Sequence, residues 1–218
     1  MHTCCPHSRS ASRLFSFFAK RYRRRISKRG FEPSQKQLLQ GLALANYRDN
    51  SLLEIGCGIG YLHQTLLVQG ARRAVGIDLA PKMLTEARAL AEERGLSDST
   101  EYIEGDFIDL YDRIDAADVT LLDKVVCCYP DADSLVHKSL DKTKRVYGLI
   151  YPRDRWFVRI GIDIGALMFR VIRSSFRPYF HDPGRIEAWI TERGFAKDFE
   201  RHTTIWLTQI YVRREDAV

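Results

Sequence analysis

The first 31 residues contain no aspartate or glutamate, yet they hold nine lysines and arginines. The chain as a whole has 218 residues and a formal net charge of +6, so everything after residue 31 sums to −3. The basic character belongs to an N-terminal arm. The body lacks the cationic excess that a nucleic-acid surface needs, and no nucleic-acid partner is expected. No run of about 18 uncharged apolar residues occurs, which argues against a transmembrane helix. Repeats and low-complexity segments are missing too, which excludes solenoid and propeller architectures. The five cysteines fall as two adjacent pairs, Cys4-Cys5 and Cys127-Cys128, and the single Cys57. That is not a disulfide framework, and a reducing compartment, the cytoplasm, is the expectation. The cluster His2, Cys4, Cys5 and His7 is spaced too tightly for a zinc site, so no metal is expected.

What is present is enough apolar residue, 45% of the chain, to build one sizeable core. The first nine residues are expected to be disordered. Residues 11–26 read as an amphipathic helix, with Leu14, Phe15, Phe18, Tyr22 and Ile26 at steps of three and four. Arg9, Arg13, Lys20, Arg23 and Arg24 fall opposite. An acid-free amphipathic start containing Arg and Ser fits an organelle transit peptide over residues 1–30. It fits equally a helix that lids a ligand pocket. A second helix is read at 34–46.

From residue 51 strand and helix patterns alternate. Strands are expected at 51–55, 73–78, 100–104, 117–122 and 145–150, with helices at 60–69, 81–94 and 131–140 between them. Such alternation implies parallel strands joined by right-handed crossovers. A helix at 184–193 and strands at 195–201 and 204–213 follow, the last two as a hairpin closing the sheet edge. The fold class is therefore α/β: a Rossmann-like, doubly wound seven-stranded sheet, mostly parallel with an antiparallel C-terminal strand. Residues 155–173 form one long apolar helix. Its charges, Arg155, Arg159, Asp163, Arg170 and Arg173, fall within a stripe about 80 degrees wide. A helix this apolar buries itself in the core, in an acceptor site or against a membrane surface.

The chemistry concentrates at Leu52-Leu-Glu-Ile-Gly-Cys-Gly-Ile-Gly-Tyr61. An apolar strand runs into three alternate glycines and then a helix. Glycine lets the backbone turn sharply and approach a ligand, and the helix N-terminus offers unpaired N–H groups. A dinucleotide fingerprint needs G-x-G-x-x-G, whereas Gly56, Gly58 and Gly60 give G-x-G-x-G followed by Tyr61. Glu54 adds negative charge, which suits a cofactor with an ammonium end better than one with a pyrophosphate. Asp78 ends the next strand, where an acid accepts ribose hydroxyls. Asp106, in Gly105-Asp106-Phe107, is placed to accept an adenine amino group, and Asp123 ends the fourth strand.

These motifs, in this order, resemble class I S-adenosylmethionine-dependent methyltransferases. The likeness spans about 52–130. Arg21-Tyr-Arg-Arg-Arg25, the 123–131 run and Tyr147-Gly-Leu-Ile-Tyr-Pro-Arg153 resemble a bacterial-type branch distantly similar to magnesium-protoporphyrin O-methyltransferases. The resemblance implies S-adenosylmethionine as cofactor, held by Glu54, Gly56, Cys57, Gly58, Gly60, Asp78, Leu79, Met83, Asp106, Phe107 and Asp123. It also implies that 1–46 caps the cofactor site, that 47–218 is the methyltransferase domain, and that 152–183 is an acceptor-binding or lid insertion. Methyl transfer is expected to a small-molecule acceptor, apolar if the 155–173 helix meets it. That helix is also where a peripheral membrane contact would form. Candidate proton acceptors are Asp123, Tyr129, Tyr151 and His181. Cys127 and Cys128 have no histidine near in sequence and read as buried strand-end residues. Two other readings stay open: a non-catalytic S-adenosylmethionine-binding protein and an NAD(P)-dependent reductase. One departure from relatives is Ala80, where a Ser or Thr helix cap is common; its absence should cost about 1 kcal/mol locally.

Overall fold

A computed structural model describes residues 6–214 of the chain, with side chains from Ser8 onward. The His2, Cys4, Cys5 and His7 cluster therefore lies outside the described side chains. Helix α1 runs Pro6–Arg29 and α2 Pro33–Leu44. Then β1 Ser51–Ile55, α3 Tyr61–Val68, β2 Arg73–Asp78, α4 Pro81–Glu93 and β3 Thr100–Glu104 alternate. They are followed by α5 Phe107–Leu110, β4 Ala117–Asp123, α6 Ala132–Asp141 and β5 Thr143–Pro152. The chain closes with α7 Trp156–Val171, α8 Pro183–Glu192, β6 Phe195–His202 and β7 Trp206–Arg213.

The sheet order is β3-β2-β1-β4-β5-β7-β6. The first five strands pair in parallel, and β7 runs antiparallel between β5 and β6. The winding direction reverses between β1 and β4. In open α/β sheets such a switch point leaves a crevice at the strands' carboxyl ends. Successive residues in the central strands go to opposite faces. Leu53, Leu122 and Leu149 pack with Val136, Ile186 and Ile190 on one side. Leu52, Leu121 and Ile150 pack with Leu38, Leu42 and Leu66 on the other. The two-residue period of the strand thus serves two helical layers from one apolar run.

One expectation changes and one open reading narrows. Helix α1 begins at Pro6, five residues before the expected start and inside the stretch expected to be disordered. Its extra turns are used: Ser8 and Ala11 are buried. Helix α7 is not core. Of its residues only Val158 is buried. Five further pieces were not foreseen: α5 is one short turn, capped by Asp106 accepting from the Ile108 N–H, and 3-10 turns occupy 97–99, 111–113 and 126–128. The fifth is the break at Lys124, whose φ of +61° ends β4 and turns the chain into the last of these turns.

Candidate functional site

A cavity of about 780 Å³ opens at the carboxyl ends of β1, β2 and β4. Its floor is the glycine loop. Gly56, Gly58 and Gly60 all have positive φ, at 67°, 55° and 70°. Their roles differ. A Cβ at Gly56 would lie 2.5 Å from Val125, and one at Gly60 would lie 2.8 Å from His63. A Cβ at Gly58 would meet nothing within 4 Å. The outer two glycines are needed by the protein's own packing, and the middle one leaves room for something else.

Asp78 joins this loop to α4. Its Oδ2 accepts from the Gly58 N–H at 2.8 Å and its Oδ1 from the Ala80 N–H at 2.8 Å. Burial pushes its carboxyl up to about 6, against the pull of those two N–H groups. Ala80 is the N-cap of α4 and makes no side-chain cap hydrogen bond, as the sequence led one to expect; Asp78 holds the Ala80 N–H just ahead of the helix. Ala80 itself is buried with Ala19 and Ile26 of α1, where a hydroxyl would have no water. Asp106 lines the same cavity. It accepts from the Ile108 N–H at 3.0 Å and from the Ser8 hydroxyl at 3.1 Å. Leu79, Met83, Cys57 and Phe107 supply apolar wall beside these acids.

Glu54 and Asp123 form the other end. Glu54 Oε2 lies 2.6 Å from His63 Nδ1 and accepts from the His63 N–H at 3.3 Å. His63 Nε2 in turn lies 3.0 Å from the Tyr102 hydroxyl. Burial raises the Glu54 carboxyl, and His63 opposes that rise. Asp123 Oδ2 accepts from Gln35 Nε2 at 2.5 Å, whereas its buried Oδ1 has no hydrogen-bond partner among the described residues. Burial raises this carboxyl also. Lys124 beside it is tied to Glu32, as is Arg25.

Over these acids lies an apolar roof. Leu14, Phe15, Phe18 and Tyr22 of α1 line it, with Phe169 of α7 and Phe176 just beyond. Phe15 meets Phe176 edge-on at 5.6 Å, and Phe176 meets Phe169 at 5.0 Å. The Ser175 N–H donates to the Ser10 hydroxyl at 3.2 Å, closing the two segments together.

The proposed catalytic residues separate. Asp123 and Tyr129 line the cavity, and the buried Tyr129 hydroxyl has no hydrogen-bond partner among the described residues. His181 does not line it. Its Nε2 donates to the Tyr129 carbonyl at 2.9 Å, its ring stacks on Tyr179, and burial lowers its pKa. The expectation of His181 as a base is thus corrected: it braces the loop that carries Tyr129. Tyr151 is likewise buried away, donating to Gln209 at 2.7 Å. Cys127 and Cys128 do line the cavity, but the thiol of Cys127 is pushed well up, first by its contact with Cys128 and then by burial. A thiol held protonated is no nucleophile. Gln35 and His63 were missed in the sequence; Gln35 closes a capping box with Glu32 at the start of α2, a signal for the helix start, but only the fold brings the two residues to Asp123 and Glu54.

Residues 52–146 match the family model Methyltransf_25, described as "Methyltransferase domain". In three dimensions the chain resembles magnesium protoporphyrin IX methyltransferase from Synechocystis PCC 6803 with bound SAH. That match has a TM-score of 0.69 at 20% identity and covers 92% of this chain and 98% of that one. This chain has the class I methyltransferase fold. A putative S-adenosylmethionine dependent methyltransferase from Listeria monocytogenes matches with a TM-score of 0.66 at 17% identity, covering 84% of this chain and 98% of that one. In sequence, ribosomal protein L11 methyltransferase from Escherichia coli O8 (strain IAI1) is 36% identical over 72 residues, 33% of this chain and 25% of that protein. The chain thus covers about a quarter of the length of the curated relatives it matches. The two structural likenesses, at 20% and 17% identity, show the fold expected from the glycine loop and the strand order.

Proposed function

We propose that this protein transfers a methyl group from S-adenosylmethionine to a small apolar acceptor. The observation that carries the cofactor is the charge of the cavity wall. Six carboxylates line it, from Glu54, Asp78, Asp106, Asp109, Asp123 and Asp131. Lys124 is the lone Lys or Arg among the described lining residues, and it is already paired with Glu32. A pyrophosphate would meet like charge there, so the reductase reading loses ground. A cofactor with a sulfonium and an ammonium meets opposite charge.

The residues fit that cofactor. Asp78 would take the ribose hydroxyls, and Asp106 the adenine side, with Leu79, Met83 and Phe107 against the ring. The open space at Gly58 gives the chain an approach without a Cβ in the way. Glu54, together with the Asp123 Oδ1, which has no hydrogen-bond donor among the described residues and only the Lys124 ammonium at 4.0 Å, suits the ammonium end. When bound, S-adenosylmethionine supplies an electrophilic methyl. The protein's own contribution is then alignment and exclusion of water, and alignment alone is worth about 7–11 kcal/mol. Phe15, Phe18, Phe169 and Phe176 keep water out. Tyr129 lines the cavity beside the acceptor, and where Glu54 alone holds the ammonium, Asp123, its basicity raised by burial, can receive the acceptor's proton. The apolar acceptor is supported by the same aromatic roof.

We also read the protein as cytoplasmic, because the segment with transit-peptide composition builds the cavity roof. Calorimetry with S-adenosylmethionine, S-adenosylhomocysteine and NADH tests the cofactor. Binding of the first two and not the third is expected; binding of NADH alone overturns it. Transfer of labelled methyl to porphyrin- or quinol-type acceptors, or to apolar compounds in extract, tests the reaction. Tight cofactor binding with no labelled product would instead make this a non-catalytic binding protein.

A further inference from the structure

Helix α7 divides into three sectors when its residues are set at about 100 degrees each. Val158, Ile162 and Phe169 fall together and face the protein: Val158 is buried and the other two are half-buried. The arginines at 155, 159 and 170 form a second sector, interrupted by Asp163. The third sector is an arc of about 120 degrees holding seven large apolar side chains and no polar one. Trp156 is 73% exposed, Leu167 60%, Ile164 54% and Val171 73%, and Phe157, Ile160 and Met168 are exposed with them. A helix that merely covered a sheet would turn this arc inward. Here a different sector docks and the apolar arc faces out.

The surroundings say what covers it. On its own helix the arc is flanked by Asp163 and then by Arg170, Arg159 and Arg155, of which Arg159 is paired with Asp154. The loop after α7 meets α1, the most basic part of the chain, through Phe176–Phe15 and Ser175–Ser10. On α1, Arg13, Lys20, Arg21 and Arg24 are exposed, as is Phe17 at 79%. Phe18 is exposed and also lines the cavity, so the cavity's rim lies beside these cations. A second copy of the chain would bring the same cations against themselves. An anionic surface with an apolar interior complements both sectors at once. No described helix is long and apolar enough to cross a membrane, so the geometry is that of a helix lying on it.

We propose that the α7 apolar arc docks this protein on an anionic lipid bilayer, with the cations of α1 and α7 against the headgroups and the cavity rim at the membrane surface. The proposal stands apart from the methyl-transfer reading, since neither Ile164 nor Leu167 lines the cavity. The full-length protein is sedimented with vesicles of phosphatidylcholine alone and of phosphatidylcholine mixed with phosphatidylglycerol. The wild type should pellet with the mixed vesicles and be released as salt is raised. The doubly substituted Ile164→Glu, Leu167→Glu variant should partition about tenfold less or weaker. Because both side chains face solvent, its circular dichroism and its S-adenosylmethionine affinity should match the wild type. A wild type that stays in the supernatant, or a variant that pellets equally well, overturns the proposal. So does a wild-type dimer on size exclusion that the variant breaks while neither binds vesicles, because a second copy then covers the arc.

Discussion

The two walls of the cavity are built by opposite chemistry. The floor is acidic, rigid and made by strand ends: Glu54, Asp78, Asp106 and Asp123 each stand at a β-strand terminus or one turn beyond it. The roof is apolar, helical and made by parts outside the doubly wound core, α1 and the segment around α7. The floor binds its acids to backbone and to other side chains, so their positions are fixed before any ligand arrives. The roof is held by ring edges, by the Ser8 and Ser10 hydroxyls, by Ala19 and Ile26 packed on Ala80 and Met83, and by Arg23 paired with Glu86 and Glu93 of α4. The division suggests that cofactor specificity resides in the floor and acceptor specificity in the roof.

The sharpest test of the floor is Gly58→Arg. The added side chain enters space the protein leaves empty, so binding should fall about a hundredfold or more, while folding bears only the left-handed backbone cost of about 1–2 kcal/mol. That cost predicts a melting temperature lowered by only a few degrees. Calorimetry and thermal denaturation on one sample separate the two, and intact binding would show that the loop is not the cofactor's floor.

Asp78→Asn should follow, at about ten- to a hundredfold weaker binding, from the loss of charge-assisted hydrogen bonds. Its pH behaviour is more informative. The carboxyl rises from 3.8 to about 6 on folding, chiefly through burial, so the folded state holds the proton more tightly than the unfolded one. Stability from this group is therefore fully present below about pH 4 and falls as pH rises towards about 6. Cofactor affinity runs the other way, because the ionised form is the better acceptor of ribose hydroxyls. Wild-type affinity should rise with pH through about 6 and that of the Asn variant should be flat. Equal slopes in both would move the titration to another residue.

The floor was legible in the sequence and the roof only partly so. Gly56, Gly58, Gly60 and Asp78 act through backbone geometry that a local motif encodes, and strand boundaries at 51–55, 73–78 and 100–104 matched because apolar runs there end at glycine or acid. The pairings of Gln35 and His63 left no trace, since their partners Asp123 and Glu54 stand 88 and 9 residues away and the capping box at Gln35 marks only the start of α2. The roof showed itself as the three-and-four spacing of Leu14, Phe15, Phe18, Tyr22 and Ile26, but periodicity says that a face is buried, not what it covers. For α7 it left core, acceptor site and membrane surface open, because an apolar helix has to hide one sector and the sequence does not say which.

Phe15→Ala probes the roof. Removing one ring from the Phe15–Phe176–Phe169 chain should raise the KM for an apolar acceptor by about tenfold, in line with 0.5–1.5 kcal/mol for an aromatic pair plus lost apolar contact. S-adenosylmethionine affinity should stay within about threefold. Should both fall together, the floor and roof are not separable sites.

The smallest effect expected is at His181, and it bears on which residues meet the acceptor. The ring donates to the Tyr129 carbonyl and stacks on Tyr179, outside the cavity. His181→Gln keeps a donor of similar reach, so kcat/KM should stay within about threefold, with at most about 1 kcal/mol lost from one hydrogen bond. Tyr129→Phe removes the buried hydroxyl of a residue that lines the cavity, and it should lower kcat by more while leaving cofactor affinity unchanged. A reversed order, with the histidine variant the slower enzyme, would mean that the loop carrying both residues turns over when the acceptor enters and brings the imidazole into the site.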